Sequence, residues 1–171
     1  MADRPAAVPT PGGPDPRELA GRTVVVGGAG TAGLSATRFL VTLGAHVLLA
    51  DDRFAGADAP PVDRNAAAAA VAGVTELMSQ GVEPVAVADL LTGPGRLATA
   101  TVVIVSPGFA PTHHLVAAAS TAGVPVWGEV ELAWRVDVAG LLGEPRTWLV
   151  VTGTNGKTTT TSMLAGIVEA S

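Results

Sequence analysis

The 171-residue sequence contains no cysteine, which excludes disulfide bonds and thiol chemistry and is compatible with a reducing cytosol. It also lacks any apolar run of the roughly 18 to 20 residues that a membrane-spanning helix requires. The segment from Met1 to Pro16 has no apolar core of the kind found in secretory signal peptides. These absences favour a cytoplasmic protein that has no membrane partner.

Basic and aromatic residues are both scarce. The net charge is −5 and no Lys/Arg cluster is present, which argues against a nucleic-acid or anionic-membrane partner. An anionic ligand would therefore be held by local devices such as helix N-termini. Aromatic residues make up 4% of the chain and apolar residues 48%, so Ala, Val and Leu must form most of the core. Short runs of such residues are typical of strands in a parallel α/β sheet.

A βαβ unit is predicted directly after Arg22. Thr23–Val26 is a β-branched run, Leu34–Leu43 shows helical spacing and ends before Gly44, and Val47–Ala50 has the composition of a second buried strand. A glycine-rich turn joins the first strand to the helix. This order of elements predicts a Rossmann-like domain with a parallel sheet.

The glycines of that turn, Gly28, Gly30 and Gly33, form a Gly-x-Gly-x-x-Gly pattern, and Asp51 follows about 20 residues later. Such glycines permit a tight turn, a close approach of the backbone to a diphosphate, and close packing of the helix on the strand. Asp51 can accept hydrogen bonds from a ribose or a base, and Arg53 can add a planar cation. The pattern predicts a nucleotide diphosphate ligand without naming the nucleotide, so NAD(P) stays a rival.

The rest of the chain predicts further strands and helices and a second domain. The predicted strands are Val82–Val87, which contains Pro84, then Thr101–Val105 and Val124–Trp127; the predicted helices are Arg64–Met78 with an interruption at Gly73, Thr112–Ala122, and Glu129–Val136. We expect a disordered Pro-rich leader over residues 1–20, a Rossmann-like domain over 21–143, and the start of an ATP-binding domain over 144–171.

A second phosphate-binding pattern lies in that last segment, between a predicted strand at Trp148–Val151 and a predicted helix at Thr158–Ala170. Its residues are Gly153, Thr154, Asn155, Gly156, Lys157, Thr158 and Thr159. The backbone N–H groups of such a turn can wrap an oxyanion, Lys157 can reach the β- and γ-phosphates, and the Thr158 hydroxyl can ligate Mg²⁺. The strict motif has another glycine where this chain has Val151, so the loop is a shortened variant. The pattern does not distinguish ATP from GTP.

With these two sites in this order, the sequence resembles the Mur ligase family of peptidoglycan synthesis, and within it the D-glutamate-adding branch. Thr152–Thr159 carries the most specific likeness. Gly28–Ser35 with Asp51-Asp52-Arg53 resembles the family's uridine-nucleotide site, Val105–Phe109 its Ser-Pro-Gly turn, and Gly128–Leu132 its Gly-(Asp/Glu)-x-Glu-Leu segment. The resemblance covers about residues 22 to 171.

The resemblance implies an enzyme that uses ATP and Mg²⁺ to join D-glutamate to UDP-N-acetylmuramoyl-L-alanine through an acyl phosphate. The residues that would bind the UDP part are Gly28, Gly30, Thr31, Ala32, Gly33, Asp51, Asp52, Arg53 and Gly108. Those that would bind ATP are Gly153–Thr159, with catalytic roles for Lys157 and Thr158 and the metal on Thr158. Ala32 departs from the Ser or Thr that is usual in the family. The D-glutamate-binding domain would lie downstream, so we expect the first domain and the opening of the second here.

Two other interpretations stay open. A fragment of an NAD(P)-dependent oxidoreductase would explain Gly28–Asp51 but would leave Gly153–Thr159 without a purpose. A nucleotide-binding module without turnover would explain both patterns. No obligate protein partner is indicated by the sequence.

Several conspicuous side chains are interpreted as structural. His113 and His114 are expected at a helix start or facing solvent, since no carboxylate cluster accompanies them. Glu129 and Glu131 are predicted to lie on different faces of a helix. The three tryptophans, Trp127, Trp134 and Trp148, are expected to pack near the domain junction.

Overall fold

The structure is a computed structural model that describes residues 12–54, 68–69, 71–92 and 95–170. The strands are β1 (Thr23–Gly27), β2 (His46–Ala50), β3 (Glu83–Val85), β4 (Val102–Val105) and β5 (Val126–Gly128). The helices are α1 (Thr31–Thr42), α2 (Val74–Ser79), α3 (Val87–Thr92), α4 (His114–Thr121), α5 (Glu129–Val138) and α6 (Lys157–Glu169), preceded by a 3₁₀ turn at Pro16–Leu19. Most of the predicted leader, of the loop Phe54–Pro61 and of the first half of the helix Arg64–Met78 lies outside the described residues.

The five strands form one parallel sheet in the order β3-β2-β1-β4-β5. This arrangement confirms the predicted Rossmann-like α/β fold. The central strand β1 pairs with β2 on one side and with β4 on the other, so that Gly27 lies opposite both Ala50 and Val105. The carboxyl ends of three neighbouring strands therefore meet at one level of the sheet.

Helices cover both faces of the sheet, and the strand residues alternate between them. Val24 and Val26 point into the cluster that includes Leu40 of α1, together with residues of α2 and α5. Val25 points to the opposite face, where it packs with Leu115 of α4 and with residues of α3. Because both faces are buried, the strands are continuous apolar runs, as expected for a parallel sheet.

Strand β3 is shorter than the predicted Val82–Val87, and Val87 instead begins α3. The carbonyl oxygen of Val85 accepts a hydrogen bond from the backbone N–H of Asp51, so the backbone polar groups of Val85 point toward β2. Those of the preceding residue, Pro84, therefore point away from the sheet. β3 is an edge strand. Proline is tolerated there because its missing N–H removes no bond of the ladder.

The disordered leader predicted over residues 1–20 extends too far, because Pro16–Leu19 form a 3₁₀ turn whose first and last residues are buried. The side chain of Asp15 caps the 3₁₀ turn by accepting from the N–H of Arg17 at 2.9 Å. Leu19 is fully buried, and the Arg17 guanidinium donates to the carbonyl oxygen of Ala139 beyond α5. Burial of Leu19 is the physical reason why the ordered domain begins before residue 21. The apolar area that Leu19 removes from water offsets the conformational entropy lost when the turn is ordered.

The predicted strand Trp148–Val151 does not form, and the side chains of Leu149 and Val150 are 60% and 80% exposed. A strand gains little without a hydrogen-bonded neighbour, and the described residues offer none at this point. Helix α6 does form, but none of its side chains is buried. The ATPase-type part of the expected fold is thus represented by the loop and its helix alone. Within the described residues, no helix is long and apolar enough to cross a membrane.

Candidate nucleotide site

A cleft of ≈ 540 Å³ opens above the carboxyl ends of β1, β2 and β4. It lies where the strand order reverses around β1, which is the position at which open α/β sheets bind their ligands. The residues that line it are Gly28, Gly30, Thr31, Ala32, Asp51, Asp52, Ser106, Pro107, Gly108, Phe109 and His113. The cleft therefore brings together residues from three loops that lie far apart in the sequence.

Two glycines of the turn after β1 are required by its geometry. Gly28 has φ +99°, which a residue with a side chain rarely adopts, and a Cβ there would lie 2.9 Å from Ser106 Oγ. A Cβ on Gly33 would lie 1.8 Å from the carbonyl oxygen of Gly28. Gly33 therefore allows α1 to approach the end of β1, and it lies behind the cleft rather than in its wall.

Gly30 has a different role, because a Cβ at that position would meet nothing within 4 Å. Gly30 is the N-cap of α1 and provides no side-chain cap for the first turn. The N–H groups of this turn lie at the positive end of the helix dipole and can bind an anion. The open space at Gly30 thus lies where a phosphate group would approach these donors.

Asp51 is held by its own chain. One carboxylate oxygen accepts from the N–H of Ala29 at 2.7 Å and from Arg53 Nη2 at 2.8 Å. The other oxygen accepts from the N–H of Arg53 at 3.0 Å and from its Nε at 2.8 Å. A carboxylate has about four lone-pair positions, and these four bonds fill them. In this geometry Asp51 fixes the glycine-rich turn, and its acceptance of a hydrogen bond from a ribose or a base stays a prediction.

The ionisation of Asp51 follows from these contacts. Burial raises its pKa, but the hydrogen bonds from the Arg53 side chain and from the backbone of Ala29 and Arg53 outweigh burial and lower the pKa to about 2. The same pairing raises the pKa of Arg53. Both groups are charged at neutral pH, and the pair closes the β2 side of the cleft.

A second group of cleft residues consists of Asp52, which follows β2, and of Phe109 and His113, which follow β4. His113 is the N-cap of α4, where its Nδ1 accepts from the N–H of Leu115 at 3.2 Å. A nitrogen that accepts carries no proton, so in the neutral ring the proton lies on Nε2. Nε2 lies 3.7 Å from a carboxylate oxygen of Asp52, whose side chain is 68% exposed, and the His113 ring packs 4.3 Å from the ring of Phe109. Unlike Asp51, Asp52 is open to a ligand.

The Ser-Pro-Gly turn lines the cleft directly after the carboxyl end of β4. The N–H of Ser106 donates to the carbonyl oxygen of Gly27, and the N–H of Phe109 donates to the carbonyl oxygen of Ser106, which closes a β-turn with Pro107 in its second position. The Ser106 hydroxyl is buried and has no hydrogen-bond partner among the described residues. Such a group is costly to leave unpaired, and it lies at the edge of the cleft.

The phosphate loop before α6 is shaped by two glycines with positive φ, Gly153 at +148° and Gly156 at +78°. Lys157 begins the helix, and its ammonium group donates to the carbonyl oxygen of Gly153 at 2.6 Å. Thr158 and Thr159 follow in the uncapped first turn, and both are exposed. This is an open turn at a helix N-terminus, a geometry that can bind an anion, with its lysine folded back over it.

Comparison with known proteins decides the family of the chain. Residues 22–128 match the family "Mur ligase MurD-like, N-terminal domain". The chain belongs to this family. It is 45% identical over 152 residues to the UDP-N-acetylmuramoylalanine–D-glutamate ligase of Rhodococcus jostii, which covers 89% of this chain and 27% of that protein. It is 46% identical over 150 residues to the enzyme of the same name from Mycolicibacterium smegmatis, with 88% and 26% covered.

The MurD-like chain thus spans about a quarter of the length of these relatives. Among solved structures, it resembles the apo-structure of D-lactate dehydrogenase from Escherichia coli with a TM-score of 0.39 and 23% identity, covering 64% of this chain and 29% of that one. A likeness of this size carries no conclusion about the ligand.

The predicted uridine-site residues are largely assembled in the MurD-like domain. Seven of the nine line the cleft: Gly28, Gly30, Thr31, Ala32, Asp51, Asp52 and Gly108. Gly33 packs behind the turn, and Arg53 lies beside the cleft on Asp51. His113 is at a helix start, as expected, but it also lines the cleft, which the sequence analysis missed. The signal was its place at the end of the loop that joins the carboxyl end of β4 to α4.

The glutamates and tryptophans that were interpreted as structural lie in and around α5. Glu131 pairs with Arg135 one turn later at 2.7 Å, while one oxygen of Glu129 is buried without a hydrogen-bond partner among the described residues. Trp127 is buried beneath the Arg135 guanidinium, which lies 4.3 Å from the ring centre. Trp148 contacts the end of α5, as a packing role near the junction predicts.

Proposed function

We propose that the chain is the part of a UDP-N-acetylmuramoylalanine–D-glutamate ligase that binds UDP-N-acetylmuramoyl-L-alanine and begins the ATP-binding domain. The observation that carries the proposal is the cleft at the strand-order reversal. There an uncapped helix N-terminus and open space at Gly30 meet the exposed carboxylate of Asp52. Membership in the MurD-like family and the names of the relatives support the same conclusion.

In this proposal the diphosphate lies over the first turn of α1, where backbone N–H groups and the helix dipole favour negative charge. The net charge of the chain is negative, so these local donors carry the attraction. The uridine lies against the neighbouring side chains of Asp52 and His113, which are 3.7 Å apart and contact it from the same side. The Nε2–H of His113 donates to a ligand oxygen, and Asp52 accepts from a hydroxyl or a ring N–H.

The filled hydrogen-bonding capacity of Asp51 argues against NAD(P). In NAD-binding domains, the acid at the end of the second strand accepts from the ribose hydroxyls. Here that acid already accepts from Ala29 and Arg53. Binding NAD in the usual way would break bonds that hold the glycine-rich turn in place.

The residues of the second loop fit a nucleoside triphosphate. The positive φ of Gly153 and Gly156 turns the backbone around the Lys157 ammonium, and the N–H groups of the α6 first turn are exposed. Gly153–Thr159 would hold the phosphates, with Lys157 against the β- and γ-phosphates and Thr158 as a Mg²⁺ ligand. The described residues contain no cluster of three His, Asp or Glu side chains that could hold a metal, so Mg²⁺ would depend on the nucleotide as well. When bound, ATP supplies the phosphoryl group that activates the substrate carboxylate.

Titration calorimetry of the 171-residue chain with UDP, UDP-N-acetylmuramoyl-L-alanine and NAD tests the first site. We expect both uridine ligands to bind, the complete substrate more tightly than UDP, and NAD to give no heat of binding. Binding of NAD without binding of either uridine ligand would exclude the proposed substrate.

Turnover is a separate question, because the chain spans about a quarter of its relatives. We expect a polypeptide limited to these 171 residues to bind the uridine substrate and to release no phosphate on addition of ATP, Mg²⁺ and D-glutamate. Phosphate release that depends on D-glutamate would show that the site is complete. We also propose a cytoplasmic location, where UDP-linked precursors are made.

A further inference from the structure

Asp137 is a buried carboxylate at an unfavourable place. It is the last residue but one of α5, where the helix dipole is negative, and only 2% of its surface is exposed. An ionised acid in such a position is costly unless it is paired and hydrogen-bonded. The groups that compensate this cost therefore indicate the structural role of Asp137.

All the described partners of the Asp137 carboxylate lie in the segment that leads to the predicted phosphate loop. One carboxylate oxygen accepts from the N–H of Arg146 and from the indole Nε1–H of Trp148, each at 2.9 Å. The other lies 3.4 Å from the Arg146 guanidinium. The hydrogen bond from Trp148, the one from Arg146 and the nearby charge lower the pKa of Asp137, so the group is ionised at neutral pH.

We propose that Asp137 is a positioning residue that fastens the segment 146–148 to α5 and so fixes where the phosphate loop begins relative to the nucleotide cleft. The inference does not depend on which ligands occupy the two sites. Its partners come from the connecting segment, nine and eleven residues later, and none comes from the sheet domain's own core.

The contact limits how far Gly153 can move from the sheet domain. Trp148 is the last anchored residue, since Leu149 and Val150 are mostly exposed. Gly153 follows five residues later and therefore lies within about 17.5 Å of it, at about 3.5 Å per residue. Without this contact the last residue packed on the core is Leu141, twelve residues before Gly153, and the maximum distance grows to about 42 Å. The volume that the loop can explore then increases about fourteenfold.

The test compares Asp137→Ala with Glu144→Ala in the 171-residue chain. Glu144 is an exposed acid of the same connecting segment and serves as a matched control. In ¹⁵N spectra the chain has three indole N–H signals, and Trp148→Phe assigns one of them. We expect Asp137→Ala to speed solvent exchange of the Trp148 indole by about tenfold or more, because a hydrogen bond to a charged acceptor is lost. We also expect the heteronuclear NOE of residues 146–152 to fall in Asp137→Ala, while the Trp127 indole signal does not change. In Glu144→Ala neither the Trp148 exchange rate nor these NOE values should change.

A distance measurement separates positioning from general stability. Because the chain has no cysteine, Thr75→Cys and Val150→Cys can be spin-labelled as a unique pair on two exposed positions. We expect a narrow distance distribution that broadens in Asp137→Ala and not in Glu144→Ala. An unchanged distribution in folded Asp137→Ala overturns the proposal. If Asp137→Ala does not fold, Trp148→Phe removes one bond of the contact and must still lower the NOE of residues 149–152; an unchanged NOE overturns the proposal as well.

Discussion

Replacement of Asp51 by asparagine measures how far the cleft depends on a carboxylate whose two oxygens are held by Ala29 and Arg53. In Asp51→Asn the charge is lost, and one of the two oxygens that accept from Ala29 and Arg53 becomes a donor. We therefore expect lower stability at neutral pH. We also expect weaker UDP binding, because the glycine-rich turn loses its anchor.

The size of the effect follows from the pKa of Asp51. A decrease from 3.8 to about 2 corresponds to about 2.4 kcal/mol, at about 1.36 kcal/mol for each pH unit. The Arg53 side chain is 56% exposed, so solvent screens part of this interaction. We expect the free energy of unfolding to fall by about 1 to 2 kcal/mol in Asp51→Asn.

The sign of the pH dependence is fixed by the direction of the shift. A carboxyl group whose pKa is lower in the folded state stabilises the fold above its unfolded pKa and loses this effect as pH falls through its folded pKa. The difference between wild type and Asp51→Asn should be constant above about pH 5 and about half as large at pH 3.

Urea denaturation followed by circular dichroism, at pH values from 7 to 3, provides the measurement. Asp52→Asn is the matched control, since this neighbouring side chain is 68% exposed, and its unfolding free energy should change by less than about 0.5 kcal/mol. A difference for Asp51→Asn that does not vary with pH would refute the assigned role of its charge.

Three further predictions concern the two phosphate sites. Gly33→Ala should destabilise the chain by at least about 3 kcal/mol in thermal or urea denaturation, since its Cβ meets a carbonyl oxygen. Gly30→Ala should keep the fold and lose UDP binding. Equal losses of stability in the two variants would contradict the argument. His113→Asn keeps a capping side chain and should weaken UDP binding by about fivefold to tenfold in calorimetry, while His114→Ala should not. Lys157→Ala should leave the melting temperature unchanged and abolish ATP binding in a fluorescent-nucleotide assay; retained binding would remove Lys157 from the site.

The local parts of the fold and site follow from the sequence, because their causes lie within a few residues. The glycine spacing dictates a tight turn, and Gly28 and Gly33 have the geometry that such a turn demands. The apolar runs dictate buried strands, and five of the six predicted strands agree with the structure to within two residues at each end. The sixth, Trp148–Val151, does not form.

The remaining features depend on contacts that a sequence pattern does not contain. Trp148–Val151 has the composition of a strand, but strand formation needs a neighbour that the described residues do not provide. The saturation of Asp51 depends on how the Arg53 side chain folds back. His113 reaches the cleft because the loop after β4 turns over the end of β1. Leu19 was assigned to a disordered leader because composition does not reveal the site that buries it.

The backbone of Pro84, which points away from the sheet, limits how the edges of two such sheets can pair. An approaching strand from another chain would find no N–H donor at the middle residue of β3. β3 has only three residues, so this one position interrupts any continuous pairing along that edge. A chain whose buried strands are rich in valine and leucine is thereby protected, at this side of the sheet, from joining its neighbours into an extended sheet.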